Sequence, residues 1–273
     1  MNVKKLDQKF LIALAIFMLI DPIVINWLFK IHFFSPFVKS TNYLLQSTLL
    51  AGIINIFIVS IIVFYFGKLD LKSIWLTPND IKIALFPLAL IWVISNLAVI
   101  LFGFLASGQI LFIDRFNFFI GRFAGQIFGN APFEEIVFRG VFFVQLYLLF
   151  KLKTSNNKAI ILAVIFSEIF FATVHIPNRI WINKVDNLLF ETLGLFIAGI
   201  FLNLIFIYTR NLAYLIGIHA MANFPVIFFK APSQTTYYTT YVLILVVTLL
   251  WKKLVPARQE IKISDFSLNN GND

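Results

Sequence analysis

The sequence predicts an all-α integral membrane protein of about eight transmembrane helices enclosing a polar intramembrane site, and three observations carry that reading. First, hydrophobic residues make up 60% of the chain and charged residues 13%, at a mean hydropathy of +0.90. A soluble domain gives about 25% of its residues to charge, so this chain has too few charges to clothe a water-facing surface. Second, apolar runs of the length needed to cross a bilayer, about 20 residues, recur along nearly the whole sequence. Third, the few ionisable residues inside those runs gather at particular spacings instead of scattering.

The runs, in order, cover residues 10–29, 43–66, 81–105, 126–150, 159–175, 188–208, 212–229 and 237–251. Lys4, Lys5 and Lys9 precede the first run in the manner of a signal peptide. No small-x-small cleavage site follows, and Asp21-Pro22 interrupts the run before it resumes, so it reads as a retained first span. The amphipathic or half-inserted stretch 115–125 leads into the fourth run. If the short eighth run lies on the surface, the count falls to seven. Residues 1–255 thus form a single transmembrane domain with a motif-bearing core at about 126–224. Residues 256–273 form a polar cytoplasmic tail whose composition cannot bury a core and is expected to be disordered.

Net charge is +9. With the N-terminus placed in the cytoplasm, fourteen Lys and Arg fall on the cytoplasmic side and seven on the other, leaving Arg139 inside a span. The positive-inside rule therefore puts both termini in the cytoplasm of a multi-pass cell-membrane protein. The excess of positive charge then suits anionic lipid. No stretch offers the basic, aromatic-laced soluble face that nucleic acid would need. There is no cysteine, which excludes disulfides, thiolate metal sites and a cysteine nucleophile.

Ionisable groups inside a span are costly, and they persist where they pair or act. The fourth span carries Glu134, Glu135 and Arg139, the fifth Glu168 and His175, the sixth Glu191, and the seventh His219 and Asn223. Glu135 and Arg139 are four residues apart, one above the other on a helix, and can form an ion pair. Glu134 is turned about 100° away and is free to face another element. His219 and Asn223 share a face, as do Glu168, Phe171 and His175. Three helices thus each present a polar face, and in hydrocarbon those faces turn toward one another. A carboxylate with two imidazoles is what activates a water molecule, by general-base action or through a metal ion.

The order E-E-x-x-x-R (Glu134, Glu135, Arg139), F-x-x-x-H (Phe171, His175) and H-x-x-x-N (His219, Asn223) resembles the CPBP family. This is the Abi or CAAX-prenyl-protease-like group of intramembrane proteases, which includes bacteriocin self-immunity proteins. Gly199 and the Tyr208–Leu212 stretch also resemble it. The resemblance covers roughly residues 126–224. It implies an eight-helix membrane fold with the site in a cavity between helices. It implies that Glu134 and His175 position and activate the attacking water. His219 and Asn223 would complete the site, as metal ligand or as stabiliser of the oxyanion. Glu134, His175 and His219 would make a three-ligand zinc site with an open fourth position, whereas the Asn223 amide suits an oxyanion better than zinc. Zinc is the expected cofactor, and a metal-independent glutamate mechanism is the alternative.

The leading reading is an intramembrane endopeptidase cleaving membrane-associated proteins or peptides. Its catalytic residues are Glu134, His175, His219 and Asn223, supported by Glu135 and Arg139. The alternative is a non-proteolytic membrane immunity or partner-binding protein that keeps the polar groups for assembly. A proton-coupled transporter finds no inverted repeat or paired broken helices. Charge placement sets Glu134 and His175 toward the non-cytoplasmic ends of their spans, so prenylated cytoplasmic substrates are not expected. Glu168 and Glu191 match no motif. Glu168 reads as structural, with orientation of His175 as the alternative. Thr173 reads as packing and His32 has no assigned role. Phe116, Phe118, Phe119, Phe123 and Phe128 read as lipid and packing surface, or alternatively as an apolar substrate groove.

Overall fold

The computed structural model describes residues 2–225, 227–232, 234–255 and 267–268. Helices α1 (Gln8–Lys30), α2 (Ser35–Ser40), α3 (Ser47–Phe66) and α4 (Pro78–Ser107) form the first half. Next come α5 (residues 116–151), α6 (Asn156–Asn183), α7 (Leu188–Thr209), α8 (Leu212–Asn223), α9 (Thr235–Leu249) and a last turn, α10 (Trp251–Leu254). Asn2–Val3 and Ser267–Leu268 pair as short parallel strands. The rest of the tail expected to be disordered lies outside the described residues.

Five helices, α1, α3, α4, α6 and α7, are long and apolar enough to cross a membrane. The chain is a multi-pass membrane protein. The other three expected spans are also helical but do not meet that measure. α5 carries Glu134, Glu135 and Arg139 within it. α8 has 12 residues and α9 has 15, against the roughly 20 that a span needs. The seventh run thus overreaches: its helix stops at Asn223 instead of continuing to Phe229. Pro225 disfavours helical geometry at the residue before it, and Phe224 is extended at φ −150° and ψ 93°. The chain then runs antiparallel to the 111–113 segment, with Ile113 N donating to Phe228 O (3.1 Å) and Lys230 N to Leu111 O (2.8 Å).

Local chemistry sets the other boundaries. Thr77 and Asp80 form a reciprocal capping box at the start of α4, with Pro78 at the first helical position. Gly108 ends α4 at φ 68°, a left-handed geometry that glycine adopts without steric cost. Asn187 and Asn211 cap α7 and α8 through side-chain oxygens that accept Phe190 N and Tyr214 N. Asn211 also donates to Asp80 O (2.8 Å) and Leu212 N to Trp75 O (3.1 Å), tying the starts of α4 and α8 together.

α5 is the axis of the bundle. Val137, Phe138, Val141 and Leu148 are fully buried, against α3, α6 and α8. Where α3 crosses α5 the backbones touch: a Cβ on Gly52 would lie 2.3 Å from Gly129 Cα. Such glycine contacts are how membrane helices approach closely, and this one fixes the height of the turn bearing Glu134. The opposite extreme is α7, where Leu189 (80% exposed) and Phe190 (71%) face outward as lipid-contacting residues do.

Candidate active site

Pro132 has no N–H to give to Phe128 O, and the turn before it, Gln126–Asn130, is wound as π-helix. Ile136–Phe143 is wound the same way. Such π turns are rare and concentrate at functional sites. Between them Ala131–Glu135 is ordinary α-helix, so Glu134 and Glu135 leave the axis in different directions.

Glu134 faces two imidazoles from two other helices. Its Oε1 is 3.3 Å from His175 Nε2 and its Oε2 is 3.6 Å from His219 Nε2. Both rings are held from behind. His175 Nδ1 lies 2.7 Å from Phe171 O, and a carbonyl can only accept, so Nδ1 carries the proton. His219 Nδ1 lies 2.5 Å from Glu135 Oε1, where the same argument applies. Each Nε2 then faces a Glu134 oxygen, where a proton or a water hydrogen must intervene because two acceptors repel. α6 ends as a regular helix at Val174, and His175 is its C-cap, so the ring sits where the helix opens.

Glu135 serves the other side. Its Oε1 accepts from Arg139 Nη1 at 3.0 Å as well as from His219. Arg139 is fully buried and has a second carboxylate, Glu168 Oε2 at 2.7 Å. Its Nη2 also donates to Gly199 O (3.3 Å), and its guanidinium lies 4.6 Å from the centre of the Phe171 ring. Glu168 Oε1 accepts from Ser167 Oγ (3.2 Å) and from Asn203 Nδ2. A side chain at Gly199 would strike the Glu168–Arg139 pair, since its Cβ would lie 1.8 Å from Glu168 Oε2.

Of the residues expected from sequence, Glu134, Glu135, Arg139, His175 and His219 come together. Asn223 sits apart, exposed, with its amide donating to Gln126 Oε1 at 3.0 Å. The Glu135–Arg139 pair forms as the spacing indicates. Glu168 agrees with the structural reading and not with its alternative: its partner is Arg139, not His175. Ser167, Gly199 O and Asn203 were missed as members of the cluster, although a lone amide in the apolar run Ile-Phe-Leu-Asn-Leu-Ile-Phe was a usable signal. Glu191 lies 3.9 Å from Arg179, and Thr173 Oγ1 donates to Ile169 O. His32 is exposed, at φ 57°.

The donors suit zinc in kind. Two imidazoles with anchored Nδ1 atoms and a carboxylate are what a catalytic zinc site uses. Their placement does not: the two Nε2 atoms address different oxygens of Glu134. Among the described residues no group of three His, Asp or Glu side chains is arranged to hold a metal ion.

Residues 116–225 match the family model described as Rce1-like, type II CAAX prenyl endopeptidase Rce1-like. The match spans the motif-bearing core and is consistent with the CPBP/Abi resemblance. No curated protein and no solved structure matches the chain.

Proposed function

We propose, with the Rce1-like match of residues 116–225 as premise, that the protein is an intramembrane endopeptidase acting on membrane-associated proteins or peptides. The observation that supports this most is the Glu134 carboxylate facing one Nε2 of each histidine, at 3.3 and 3.6 Å. A water beside these groups has a carboxylate to take one proton and one imidazole lone pair to accept the other. The water oxygen attacks the peptide carbonyl carbon while Glu134 takes the proton. The tetrahedral oxyanion that forms needs donors, and Asn223, one turn beyond His219 on α8, supplies an amide once released from Gln126 and turned toward the site. Collapse of the intermediate breaks the C–N bond, and Glu134 returns its proton to the leaving nitrogen. Glu135 behind His219 accepts its Nδ1 proton and so fixes the ring's tautomer and orientation, the role a buried carboxylate plays in a triad. Arg139 holds Glu135 in place.

A zinc-dependent form of the reaction is the second reading. It is favoured by the two anchored Nδ1 atoms, which orient imidazoles as metal ligands are oriented. Glu134, His175 and His219 would have to regroup around the ion to hold it, since their Nε2 atoms here address different oxygens of Glu134, and the ion would then supply Lewis acidity. Asn223 would still serve the oxyanion.

For topology, both termini are proposed to be cytoplasmic, on the charge count and on their shared end of the bundle. Gln145 Nε2 donates to Lys4 O (2.9 Å), and Trp251 packs on Tyr214 next to the capped start of α8. Glu134 then opens toward the opposite face, and prenylated cytoplasmic substrates are not part of the reading.

The test is cleavage of membrane-anchored peptides by detergent-purified protein. Glu134→Gln and His175→Ala are expected to abolish it with expression and elution unchanged. Unchanged cleavage by either variant sinks the assignment. A partner-binding role without chemistry instead leaves the cellular phenotype of Glu134→Gln intact.

A further inference from the structure

Glu168 is a fully buried carboxylate that the proposed chemistry does not use. Both of its oxygens are acceptors in use. Oε2 accepts Arg139 Nη2 at 2.7 Å, while Oε1 accepts Ser167 Oγ and Asn203 Nδ2. From there the contacts run through the guanidinium to Glu135 Oε1 (3.0 Å) and on to His219 Nδ1 (2.5 Å). Four helices, α5, α6, α7 and α8, meet in this chain, and the bare backbone of Gly199 leaves room for it.

Two atoms show what Glu168 prevents. Glu135 Oε2 and Arg139 Nε have no hydrogen-bond partner among the described residues. Guanidinium and carboxylate favour a two-pronged pair. With Nη2 released from Glu168, Arg139 can turn to take both oxygens of Glu135, pulling that carboxylate off His219.

We infer that Glu168, braced by Asn203, is a positioning residue: it holds the Arg139 guanidinium so that Glu135 keeps one oxygen on His219 Nδ1, which aims His219 Nε2 at Glu134. A carboxylate satisfies both neighbours as they are turned here, whereas an amide meets Arg139 Nη2 or Asn203 Nδ2 donor to donor unless Asn203 rotates, and it removes the charge that holds the guanidinium.

The test combines a geometric and a kinetic readout on the full chain in detergent. With three histidines in the sequence, imidazole nitrogen NMR signals are assigned by His175→Ala and His219→Ala. Glu168→Gln is expected to shift the His219 nitrogen signals, leave those of His175 in place, and lower kcat on a membrane-anchored peptide about 10- to 100-fold at constant KM, the usual effect of losing such a partner. The double variant Glu168→Gln/Asn203→Asp gives the new amide an acceptor on the Asn203 side and keeps its oxygen for Arg139. It is expected to restore both readouts, which general destabilisation would not allow. Unmoved His219 signals in folded Glu168→Gln protein, or no recovery in the double variant, overturn the inference. Should Glu168→Gln fail to fold, Glu168→Asp, which keeps two acceptor oxygens, is read in its place: a smaller shift of the same signals supports the inference, and none overturns it. The kinetic readout rests on the peptidase reading. The nitrogen signals do not, so a chain that cleaves nothing removes that reading while Glu168 is still decided.

Discussion

Glu135 accepts the Nδ1 proton of His219 at 2.5 Å. Its sequence neighbour Glu134 meets Nε2 of the same ring at 3.6 Å. Consecutive residues on one helix thus address the two nitrogens of one imidazole, from behind and from the front. The reason is angular: consecutive helical residues diverge by about 100°, and a ring lying in that wedge is gripped from both sides. The two acids therefore do different work, which separates the consequences of changing each.

Glu134→Gln removes a proton acceptor and keeps the shape. We expect kcat to fall by about 10²–10⁴-fold, the contribution of a positioned general base, with little change in thermal unfolding temperature. Steady-state cleavage of a membrane-anchored peptide, measured beside a melting curve, checks both. A loss under tenfold would show that Glu134 is not the base.

Arg139→Met strands Glu135 and Glu168 as buried charges without a cation. Removing one partner of a buried pair costs about 3–5 kcal/mol, and we expect a loss of that order in detergent unfolding. Arg139→Lys should recover little, because Nη1 and Nη2 serve two different carboxylates and a single ammonium lacks that fork. Near-normal stability in the Lys variant would contradict the bridging role.

Asn223→Ala is expected to lower kcat by about 10²–10³-fold at similar KM if its amide serves the oxyanion. Gln126→Leu, which frees the same amide from its present acceptor, should cost far less. Equal losses in the two variants would mean that the Asn223–Gln126 contact matters as structure.

Metal analysis separates the two forms of the reaction. The glutamate–imidazole form expects activity to survive chelation and purified protein to carry no stoichiometric zinc. Zinc at one equivalent, lost in His219→Ala, would instead establish the ligand set Glu134, His175 and His219.

Gly52→Val tests how the site is held at its height in the bundle. A Cβ there meets Gly129 Cα at 2.3 Å, so α3 and α5 must part. Overpacking of this kind costs about 1–3 kcal/mol, and the displaced Glu134 turn should lower activity beyond the loss of stability. Unfolding and cleavage measured on the same preparation show whether the two effects separate.

Much of this was legible in the sequence because bilayer chemistry is strict. A carboxylate or imidazole in an apolar run has few reasons to be there, so Glu134, His175 and His219 stood out by type alone. The pairing of Glu135 with Arg139 followed from a four-residue spacing. What spacing cannot show is which helix lies across from a residue. Glu168 shares a face with His175 on α6, and that made orientation of His175 the alternative to a structural role. The contact it makes is with Arg139, 29 residues away in sequence on α5. The end of α8 was misjudged for a different reason: hydropathy sees only apolarity, and residues 224–229 are apolar while Pro225 bars a helix. Asn223 shares the His219 face as expected, yet its amide turns to Gln126, a choice that depends on how α5 crosses α8.

The two rings that flank Glu134 are not equivalent toward solvent. The His175 side chain is 20% exposed and that of His219 is 7%. The more open flank of the buried acid is therefore the His175 side. A bulky group bonded to the His175 ring would thus crowd that flank, whereas Glu135, Arg139 and Glu168, which hold the cluster from the other side, lie fully buried.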